Sequence, residues 1–279
     1  MTDFQAESGV SPETRQKFAI LKELLAGLGR VAVAFSAGVD STFLLKTAHD
    51  VLGDDAAAFT AATGTFPAKE LDEAADFCRA ENIRLIRLNV DVFSIPGFRE
   101  NPPDRCYICK KAIFGQIISS AGELGFNKVA EGSNTDDAGD YRPGMRALRE
   151  LGVLSPMKET SLSKSEIRTL SKELGLSTWN KPSFACLATR IAYGEEITEK
   201  KLRMTELAER ALSDRGFSQY RVRIHGDSAR IELPPDEIGR LADKDLREEI
   251  SERFHALGYK YVSLDLDGYR TGSMNAGII

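Results

Sequence analysis

The sequence predicts an α/β fold in which helices cover both faces of a parallel sheet, followed by a smaller C-terminal α+β domain. The main observation is a regular alternation between short apolar runs, typical of buried strands, and longer segments with apolar residues at helical spacing. A second observation is that the first strand leads into a turn of small residues, SAGVDST at 36–42. Ligands of such sheets bind outside the carboxyl ends of the strands, so this turn is expected in the ligand crevice.

The individual elements follow in chain order. After a polar leader, an amphipathic pattern predicts a first helix over 14–26. Apolar runs predict strands over 31–36, 56–63, 83–90 and 128–131. Helical spacing predicts the intervening helices over 42–52, 67–82 and 104–124. This order of strand, loop and helix is typical of a parallel sheet covered on both faces.

The composition changes near residue 180, and we place a domain boundary there, with limits of 1–186 and 187–279. Beyond the boundary, the pattern predicts a charged helix over 198–215 and a hairpin that turns at 225–227. A helix over 235–256 and a strand over 259–266 complete this small domain. Its size lies near the low end of the usual domain range.

The balance of charges and the cysteine content exclude several classes of protein. The 279 residues carry a formal net charge of −5 at pH 7, which argues against a broad surface for nucleic acid or an anionic membrane. No apolar stretch approaches about 18 residues, and the acidic leader lacks the apolar core of a signal peptide. Four cysteines are too few for a disulfide-stapled fold of this size. We therefore expect a cytoplasmic protein that acts on small molecules.

The turn at 36–42 has the sequence context of an anion-binding site. Backbone N–H groups at the start of a helix suit a phosphate or pyrophosphate, and nearby hydroxyls add donors. The turn matches neither a Walker A loop nor the GxGxxG dinucleotide pattern. A turn that only caps the helix is the alternative. Asp40 is the expected ligand or organiser of Mg²⁺, because that cation prefers hard oxygen ligands. The candidate phosphate-binding residues are Ser36, Ala37, Gly38, Asp40, Ser41, Thr42 and, further along the chain, Gly132.

Three cysteines form a candidate metal site. Cys106 and Cys109 are a CxxC pair at the start of a predicted helix, and Cys186 lies far downstream. A CxxC pair alone is weak evidence, and simple structural thiols are the alternative. Zinc would need a fourth nitrogen or sulfur ligand, and none of the three histidines is near a cysteine in sequence. Three thiolates that leave one iron open fit an iron–sulfur cluster better.

Other charged residues are candidates for binding the substrate. Arg190 follows Cys186 by four residues, and Arg221 and Arg223 point to one face of their strand, where guanidinium groups suit a phosphate. A solvated strand face or a structural ion pair is the alternative for these arginines. Glu131 closes a strand at the carboxyl-end crevice, where its carboxylate could serve a metal or cap the loop.

The 36–42 turn resembles the SGGxDS loop of the PP-loop superfamily of ATP pyrophosphatases, with Ala37 where that pattern usually has glycine. The wider set of motifs is similar to the LarE family of ATP-dependent sulfur transferases, and it spans nearly the whole chain. These motifs are NPPDRCYICKKAIF at 101–114, EGSNTDDAGDYRPGMRA at 131–147, KPSFACLATRI at 181–191 and DLDGYRTGSMN at 265–275. The segment with Cys186 is the most specific of them.

The resemblance implies an enzyme that uses ATP and Mg²⁺ to make the precursor of a nickel-pincer nucleotide cofactor. It would adenylate the carboxylates of pyridinium-3,5-biscarboxylic acid mononucleotide, release pyrophosphate and form thiocarboxylates. The resemblance makes 1–186 the PP-loop ATP-binding domain and 187–279 a substrate or oligomerisation domain. We also expect a homo-oligomer, and a separate sulfur donor is a candidate partner.

The resemblance also leaves two sulfur chemistries and two other functions to weigh. Members with only the cysteine matching Cys186 sacrifice its sulfur and retain dehydroalanine, whereas members with the CxxC pair hold a 4Fe-4S cluster on three cysteines. Because all three thiols are present, we favour the cluster type with Cys106, Cys109 and Cys186 as ligands. A tRNA-thiolating PP-loop enzyme is an alternative, against which the acidic balance counts. A non-catalytic sensor of adenine nucleotides is another.

Overall fold

The computed structural model describes residues 9–138, 143–182, 185–270 and 272–275. The chain divides into two compact units. The first contains the described residues within 1–62, 68–90 and 109–183, and the second those within 63–67, 91–108 and 184–279. The domain limits of 1–186 and 187–279 stay a prediction, because compactness does not test whether either range folds by itself.

The first unit is built on a parallel sheet. Its strands are β1 (Val31–Ala34), β2 (Ala56–Ala62), β3 (Leu85–Asn89) and β4 (Lys128–Ala130). Their order across the described part of the sheet is β3-β2-β1-β4, and all neighbouring strands run parallel. The predicted α/β class is therefore confirmed. Because β1 and β4 are parallel neighbours, the segments that follow them emerge at the same edge of the sheet.

Helices pack on both faces of this sheet. Those of the first unit are α1 (Pro12–Leu28), α2 (Val39–Leu52), α3 (Ala68–Ala80), α4 (Arg105–Glu123), α5 (Pro143–Glu150), α6 (Pro156–Glu159) and α7 (Lys164–Glu173). The opening turn of α4 belongs to the second unit. Successive strand residues point to opposite faces. Accordingly, Val31 and Val33 belong to the core cluster that contains Phe43 of α2, whereas Ala32 belongs to the cluster that contains Phe114 of α4.

The second unit contains a small mixed sheet. Its strands are β5 (Arg221–His225), β6 (Ser228–Glu232) and β7 (Tyr261–Leu264). The antiparallel pairing of β5 with β6 confirms the predicted hairpin, whose register places His225 opposite Ser228 across a turn at Gly226 and Asp227. Gly226 has a φ of +56°, which a tight turn of this kind requires. β7 pairs in parallel with β6.

The helices of the second unit differ from the sequence prediction at one point. They are α8 (Glu199–Asp214), α9 (Pro235–Ile238) and α10 (Lys244–Leu257). The continuous helix predicted over 235–256 is wrong, since a 3₁₀ turn over Gly239–Ala242 interrupts it. Asp243 then caps α10 by accepting a hydrogen bond from the backbone N–H of Leu246 at 2.9 Å. Among the helices of the described ranges, none has the length and apolar character needed to cross a bilayer.

Candidate active site

The turn after β1 has a backbone conformation that places an unusual demand on one residue. Ala37 adopts a φ of +53°, in the left-handed region that favours glycine, and it is buried. Ser36 and Ser41 hold the turn closed, with their hydroxyl oxygens 3.0 Å apart and the Ser36 N–H donating to Ser41 Oγ at 3.2 Å. The turn is therefore a fixed shape rather than an open loop.

The helix α2 begins three residues earlier than the sequence predicted. Its N-cap is Gly38, which makes no side-chain capping bond. Because the helix begins at Val39, Asp40, Ser41 and Thr42 lie in its first turn. The N–H groups at a helix start and the helix dipole favour an anion at this position. The Thr42 hydroxyl is buried and has no hydrogen-bond partner in the described part of the chain. The helix start therefore has the polar groups that an anionic ligand needs.

Asp40 lies between two polar side chains that are not among the predicted site residues. Asn134, from the segment after β4, donates its amide to Asp40 Oδ1 at 3.3 Å. Lys164, the first residue of α7, forms an ion pair with Asp40 Oδ2. The only sequence signal for Lys164 is the capping box of Ser163 and Glu166, which marks a helix start and not a ligand site.

Gly132 is placed by contact between two backbone segments. A Cβ atom at this position would lie 3.0 Å from the backbone nitrogen of Ser41 and 3.2 Å from the carbonyl carbon of Asp40. Glycine is therefore needed so that the segment after β4 can approach the start of α2. The predicted contact between Gly132 and ATP stays a prediction.

Glu131 follows β4 in a buried position, with 7% of its surface exposed. Its two carboxylate oxygens accept hydrogen bonds from Ser133 at 2.8 Å and from Ser155 at 2.6 Å. These bonds fix the carboxylate beside the segment that carries Asn134. A role as a metal ligand stays a prediction for Glu131.

The residues at the start of α2 fit the way proteins hold Mg²⁺ for nucleotide chemistry. This ion is commonly bound by one or two carboxylates together with phosphate oxygens and waters. Asp40 supplies such a carboxylate, and its side chain keeps 24% exposure. No group of three potential metal ligands among Cys, His, Asp and Glu occurs in the part of the chain that the structure describes. Asp40 thus supplies one carboxylate, the kind of ligand that holds Mg²⁺ together with phosphate oxygens and waters.

Cys186, in the second unit, begins a 3₁₀ turn that other groups hold in place. It is the N-cap of the turn Leu187–Arg190. The Leu187 N–H donates to the carbonyl of Thr65 at 2.8 Å. Arg190 Nη1 donates to the carbonyl of Cys186 at 3.3 Å and to that of Ala185 at 2.9 Å. The backbone on both sides of the thiol is therefore anchored.

The groups around the Cys186 thiol shift its pKa in opposite directions. Burial raises its pKa, while the Arg105 guanidinium and the Thr65 hydroxyl favour the thiolate and lower it. The neighbouring Cys106 thiol raises the pKa of Cys186 further. Arg105 Nη2 also donates to Cys106 Sγ at 3.7 Å. Cys106 and Cys186 thus lie near each other and share a buried arginine.

The three candidate cluster ligands fit iron by donor type but are not gathered as a ligand group in the described residues. Cys106 and Cys109 both lie at the start of α4, three residues apart. None of the four cysteines, all of which lie in the described ranges, forms a disulfide. Thiolates are the usual ligands of iron–sulfur clusters. The described residues nevertheless hold no cluster of three metal-ligating side chains. Cys78, in contrast, is in the core, where burial raises its pKa to about 11.

Two of the candidate phosphate-binding arginines have carboxylate partners within the protein. Arg190 is 1% exposed, and its Nε and Nη2 donate to Glu209 at 2.7 and 3.1 Å. Arg223 donates to the buried Glu232 at 3.0 and 2.8 Å and to the carbonyl of Thr189 at 3.1 Å. The Arg190–Glu209 pair is bidentate, whereas both Arg223 nitrogens donate to the single oxygen Oε2 of Glu232, and charge-assisted bonds of both kinds are strong. The alternative of a structural ion pair therefore has direct support at both positions.

Arg221 lies on the same strand as Arg223 and has its own set of contacts. It is also buried, donates to the carbonyl of Tyr220 at 2.6 Å and lies 5.1 Å from the centre of the Tyr269 ring. Burial lowers its pKa, as does the nearby positive charge of Arg190. The role of Arg190, Arg221 and Arg223 in binding the substrate phosphate stays a prediction. No sequence pattern indicates Glu209 and Glu232 as partners of these arginines, because Glu209 lies 19 residues from Arg190 and Glu232 lies 9 residues from Arg223.

The chain is similar to proteins of several organisms, although no protein-family model matches it. It is 40% identical over 259 residues to an uncharacterized protein of Synechocystis, a match that covers 93% of this chain and 97% of that protein. It is 37% identical over 260 residues to the pyridinium-3,5-bisthiocarboxylic acid mononucleotide synthase of Lactiplantibacillus plantarum, covering 93% of this chain and 94% of the synthase. It is 27% identical over 212 residues to one subunit of the glutamine-hydrolysing GMP synthase of Thermoplasma volcanium, covering 69% of this chain and 67% of that subunit.

The parallel sheet, the small-residue turn after β1 and the similarity to a subunit of GMP synthase together point to an enzyme with the PP-loop type of α/β fold. The similarity to the Lactiplantibacillus synthase extends over nearly the full length of both chains. The chain belongs to the LarE family of sulfur transferases. The resemblance inferred from its motifs is therefore confirmed at the level of the family.

Proposed function

We propose that this enzyme uses ATP to convert the carboxylates of pyridinium-3,5-biscarboxylic acid mononucleotide into thiocarboxylates. The substrate is proposed from the name of the Lactiplantibacillus relative, which describes synthesis of the bisthiocarboxylic product. The observation that carries the proposal is the start of α2, where the N–H groups of the Ser36–Thr42 segment would receive phosphate oxygens and the carboxylate of Asp40 would hold Mg²⁺. Lys164 adds a positive charge beside Asp40.

The first proposed step makes the carboxylate reactive. A carboxylate is a poor electrophile, so its oxygen attacks the α-phosphorus of ATP, the bond to pyrophosphate breaks, and an acyl-adenylate forms. The N–H groups at the start of α2 stabilise the negative charge that collects on the departing pyrophosphate. Lys164 contributes through its ammonium group. Asp40 would hold Mg²⁺, which supplies neutralisation of the phosphate oxygens.

The second proposed step replaces AMP by sulfur. For the cluster chemistry, Cys106, Cys109 and Cys186 would hold the 4Fe-4S cluster, which supplies a sulfide nucleophile when bound. Support for it is the presence of three thiols outside any disulfide and the proximity of Cys106 to Cys186. In the sacrificial alternative, Cys186 Sγ attacks the acyl carbon and AMP leaves. Loss of the Cys186 α-proton and cleavage of its Cβ–Sγ bond then release the thiocarboxylate and leave dehydroalanine.

The arginines of the second unit are proposed to favour a phosphorylated substrate through their positive charge. Arg190 and Arg223 already bind Glu209 and Glu232, so their contribution to a phosphate would be a long-range field in addition to any direct contact. Burial and the charge of Arg190 lower the pKa of Arg221, whereas Glu209 raises it, and a bound phosphate would further favour the charged form. The small nucleotide is the proposed partner, with no nucleic acid.

The remaining partner proposals concern assembly and supply. We propose a homo-oligomer in the cytoplasm, where a reducing compartment keeps the four thiols reduced. A separate sulfur donor would be required for repeated turnovers through a cluster, because each thiocarboxylate removes one sulfur. In the sacrificial alternative, each chain would supply one sulfur only.

The proposal is tested by incubating the anaerobically prepared enzyme with ATP, Mg²⁺ and the dicarboxylate mononucleotide. We expect AMP, pyrophosphate and thiocarboxylate to form together, and about four irons per chain if the cluster is present. Binding of ATP without release of AMP or pyrophosphate would indicate a sensor and overturn the proposal.

Mass spectrometry of Cys186 after turnover separates the two sulfur chemistries. An unchanged residue supports sulfur delivery through the cluster. Loss of one hydrogen sulfide from Cys186 means that its own sulfur was transferred. An iron-free protein with full activity would exclude the cluster chemistry.

A further inference from the structure

The turn at 36–42 contains a strained residue at a position where glycine would be free of strain. Ala37 has a φ of +53°, and the left-handed region is disfavoured for residues with a Cβ atom. The residue is 2% exposed, so its conformation is set inside the protein. Another contact must stabilise this conformation, because alanine itself favours a negative φ.

A lysine from a distant part of the sequence contacts the strained peptide. Lys181 Nζ donates to the carbonyl oxygen of Ala37 at 2.9 Å. The same ammonium forms an ion pair with Glu73 Oε2 of α3 at 2.6 Å. The Lys181 side chain is 16% exposed, so both contacts are partly shielded from water. Hydrogen bonds from a charged donor are stronger than those between neutral groups, especially where water is excluded.

We propose that Lys181 is a positioning residue that holds the Ala37 peptide in its left-handed conformation, with Glu73 fixing the lysine in place. This inference rests on the proposed role of the turn in binding ATP. The conformation at Ala37 sets the direction of the N–H groups that begin α2, which are the groups proposed to receive the pyrophosphate. The lysine therefore acts on ATP through the backbone of the turn.

The proposal predicts that the effect of replacing Lys181 depends on which residue occupies position 37. Glycine adopts a positive φ without a steric penalty, so a turn with glycine at position 37 depends less on an anchoring lysine. An ammonium that contacts the phosphates directly would be needed equally with either residue. The two roles are therefore distinguished by the dependence of one substitution on the other.

The experiment measures the Kd for MgATP by calorimetry, without the acid substrate, for wild type, Lys181→Met, Ala37→Gly and the double variant. We expect Lys181→Met to raise the Kd about tenfold in the wild-type background, as for the loss of one charge-assisted hydrogen bond. In the Ala37→Gly background the same change should raise it by no more than about threefold. Lys69→Met is the matched control, because Lys69 pairs with Glu73 at 3.5 Å but is 84% exposed and makes no contact with the turn in the described structure.

Equal increases in Kd in both backgrounds, or no increase in either, would overturn the inference. If Lys181→Met does not fold, Glu73→Gln in the same two backgrounds gives the same comparison, with a smaller expected increase of about threefold. The measurement is independent of sulfur transfer. Coupling between positions 37 and 181 without thiocarboxylate formation would reject the proposed function alone, whereas normal product formation without coupling would reject the positioning role alone.

Discussion

The start of α2 and the turn that follows Cys186 both concentrate charge, but they use it differently. Beside α2, Asp40 and Lys164 keep about a quarter of their side chains exposed, and the buried Thr42 hydroxyl has no partner among the described residues. Near Cys186, Arg190 and Arg223 are buried against carboxylates. A ligand can replace the partners of the first group at small cost, but separating a buried pair leaves an uncompensated charge. The first region is arranged to exchange partners, and the second to hold a thiol in place.

Replacement of Cys186 should have the largest effect on activity. We expect Cys186→Ala to abolish thiocarboxylate formation while leaving the Kd for MgATP unchanged, because the substitution changes none of the groups at the start of α2 that are proposed to bind ATP. The measurement is product formation by mass spectrometry alongside calorimetry with MgATP. Cys78→Ala is the control, since that thiol belongs to the core of the first unit. Product formation by Cys186→Ala would show that this sulfur is not needed.

Replacement of Asp40 tests the region at the start of α2, whose charged groups can exchange partners. Asp40→Asn preserves the shape but removes the charge that balances Lys164 and would hold Mg²⁺. We expect release of AMP and pyrophosphate to fall by about 10²–10³-fold, as when one group that stabilises transition-state charge is lost. Asp50→Asn, on the same helix and paired with Lys46, is the control. A similar rate in Asp40→Asn and wild type would place the nucleotide elsewhere.

Replacement of Glu209 tests the region near Cys186, whose arginines are buried against carboxylates. Glu209→Gln leaves the buried Arg190 without its counter-charge, and we expect the free energy of unfolding to fall by about 3 kcal/mol. Denaturant titration measures it. Glu206→Gln, on the same helix and paired with the exposed Arg203, should cost less than about 0.5 kcal/mol. Equal losses in the two variants would mean that Arg190 exchanges its partner as readily as a surface residue, and the contrast between the regions would fail.

The smallest expected effect concerns pH. Although burial opposes it, hydrogen bonds from Ser163, Lys17 and Thr14 lower the pKa of Glu166 to about 2. Because this folded-state pKa is depressed, the stabilisation is complete above the unfolded pKa, near 4.5, and is lost as pH falls from there to about 2. Allowing for screening by water, we expect about 1–2 kcal/mol over this window.

The measurement is the free energy of unfolding of wild type and Glu166→Gln between these pH values. The variant should lose less stability on acidification than wild type. Glu173→Gln, which removes an exposed ion pair with Arg15, should follow the wild-type profile closely. Parallel profiles for Glu166→Gln and wild type would contradict the depressed pKa.

The sequence predicted the parallel sheet and the hairpin because both depend on local signals. Apolar runs such as 31–34 and the turn at Gly226 carry their own periodicity and turn chemistry. The unusual alanine at position 37 was also visible, as a departure from a glycine pattern. The short helices α5 to α7 carried no comparable signal, because four to ten residues are too few for a clear apolar period.

The partners of the candidate site residues could not be predicted, because tertiary packing selects them. Lys164 meets Asp40 across 124 residues, and Lys181 meets Ala37 across 144. In the sequence both lysines resemble solvated surface residues. The alternation of Arg221 and Arg223 correctly indicated a shared strand face, but it gave no means of distinguishing a phosphate from a buried glutamate as the partner of Arg223.

The early start of α2 limits how this enzyme can vary. Since Asp40, Ser41 and Thr42 belong to a regular helical turn, each is separated from the next by about 100° of rotation and 1.5 Å of rise. Inserting one residue after Gly38 would swing the carboxylate of Asp40 away from Lys164 and Asn134 together. The length of this segment is therefore constrained as strictly as its residue types, whereas exposed connections elsewhere can lengthen at little cost.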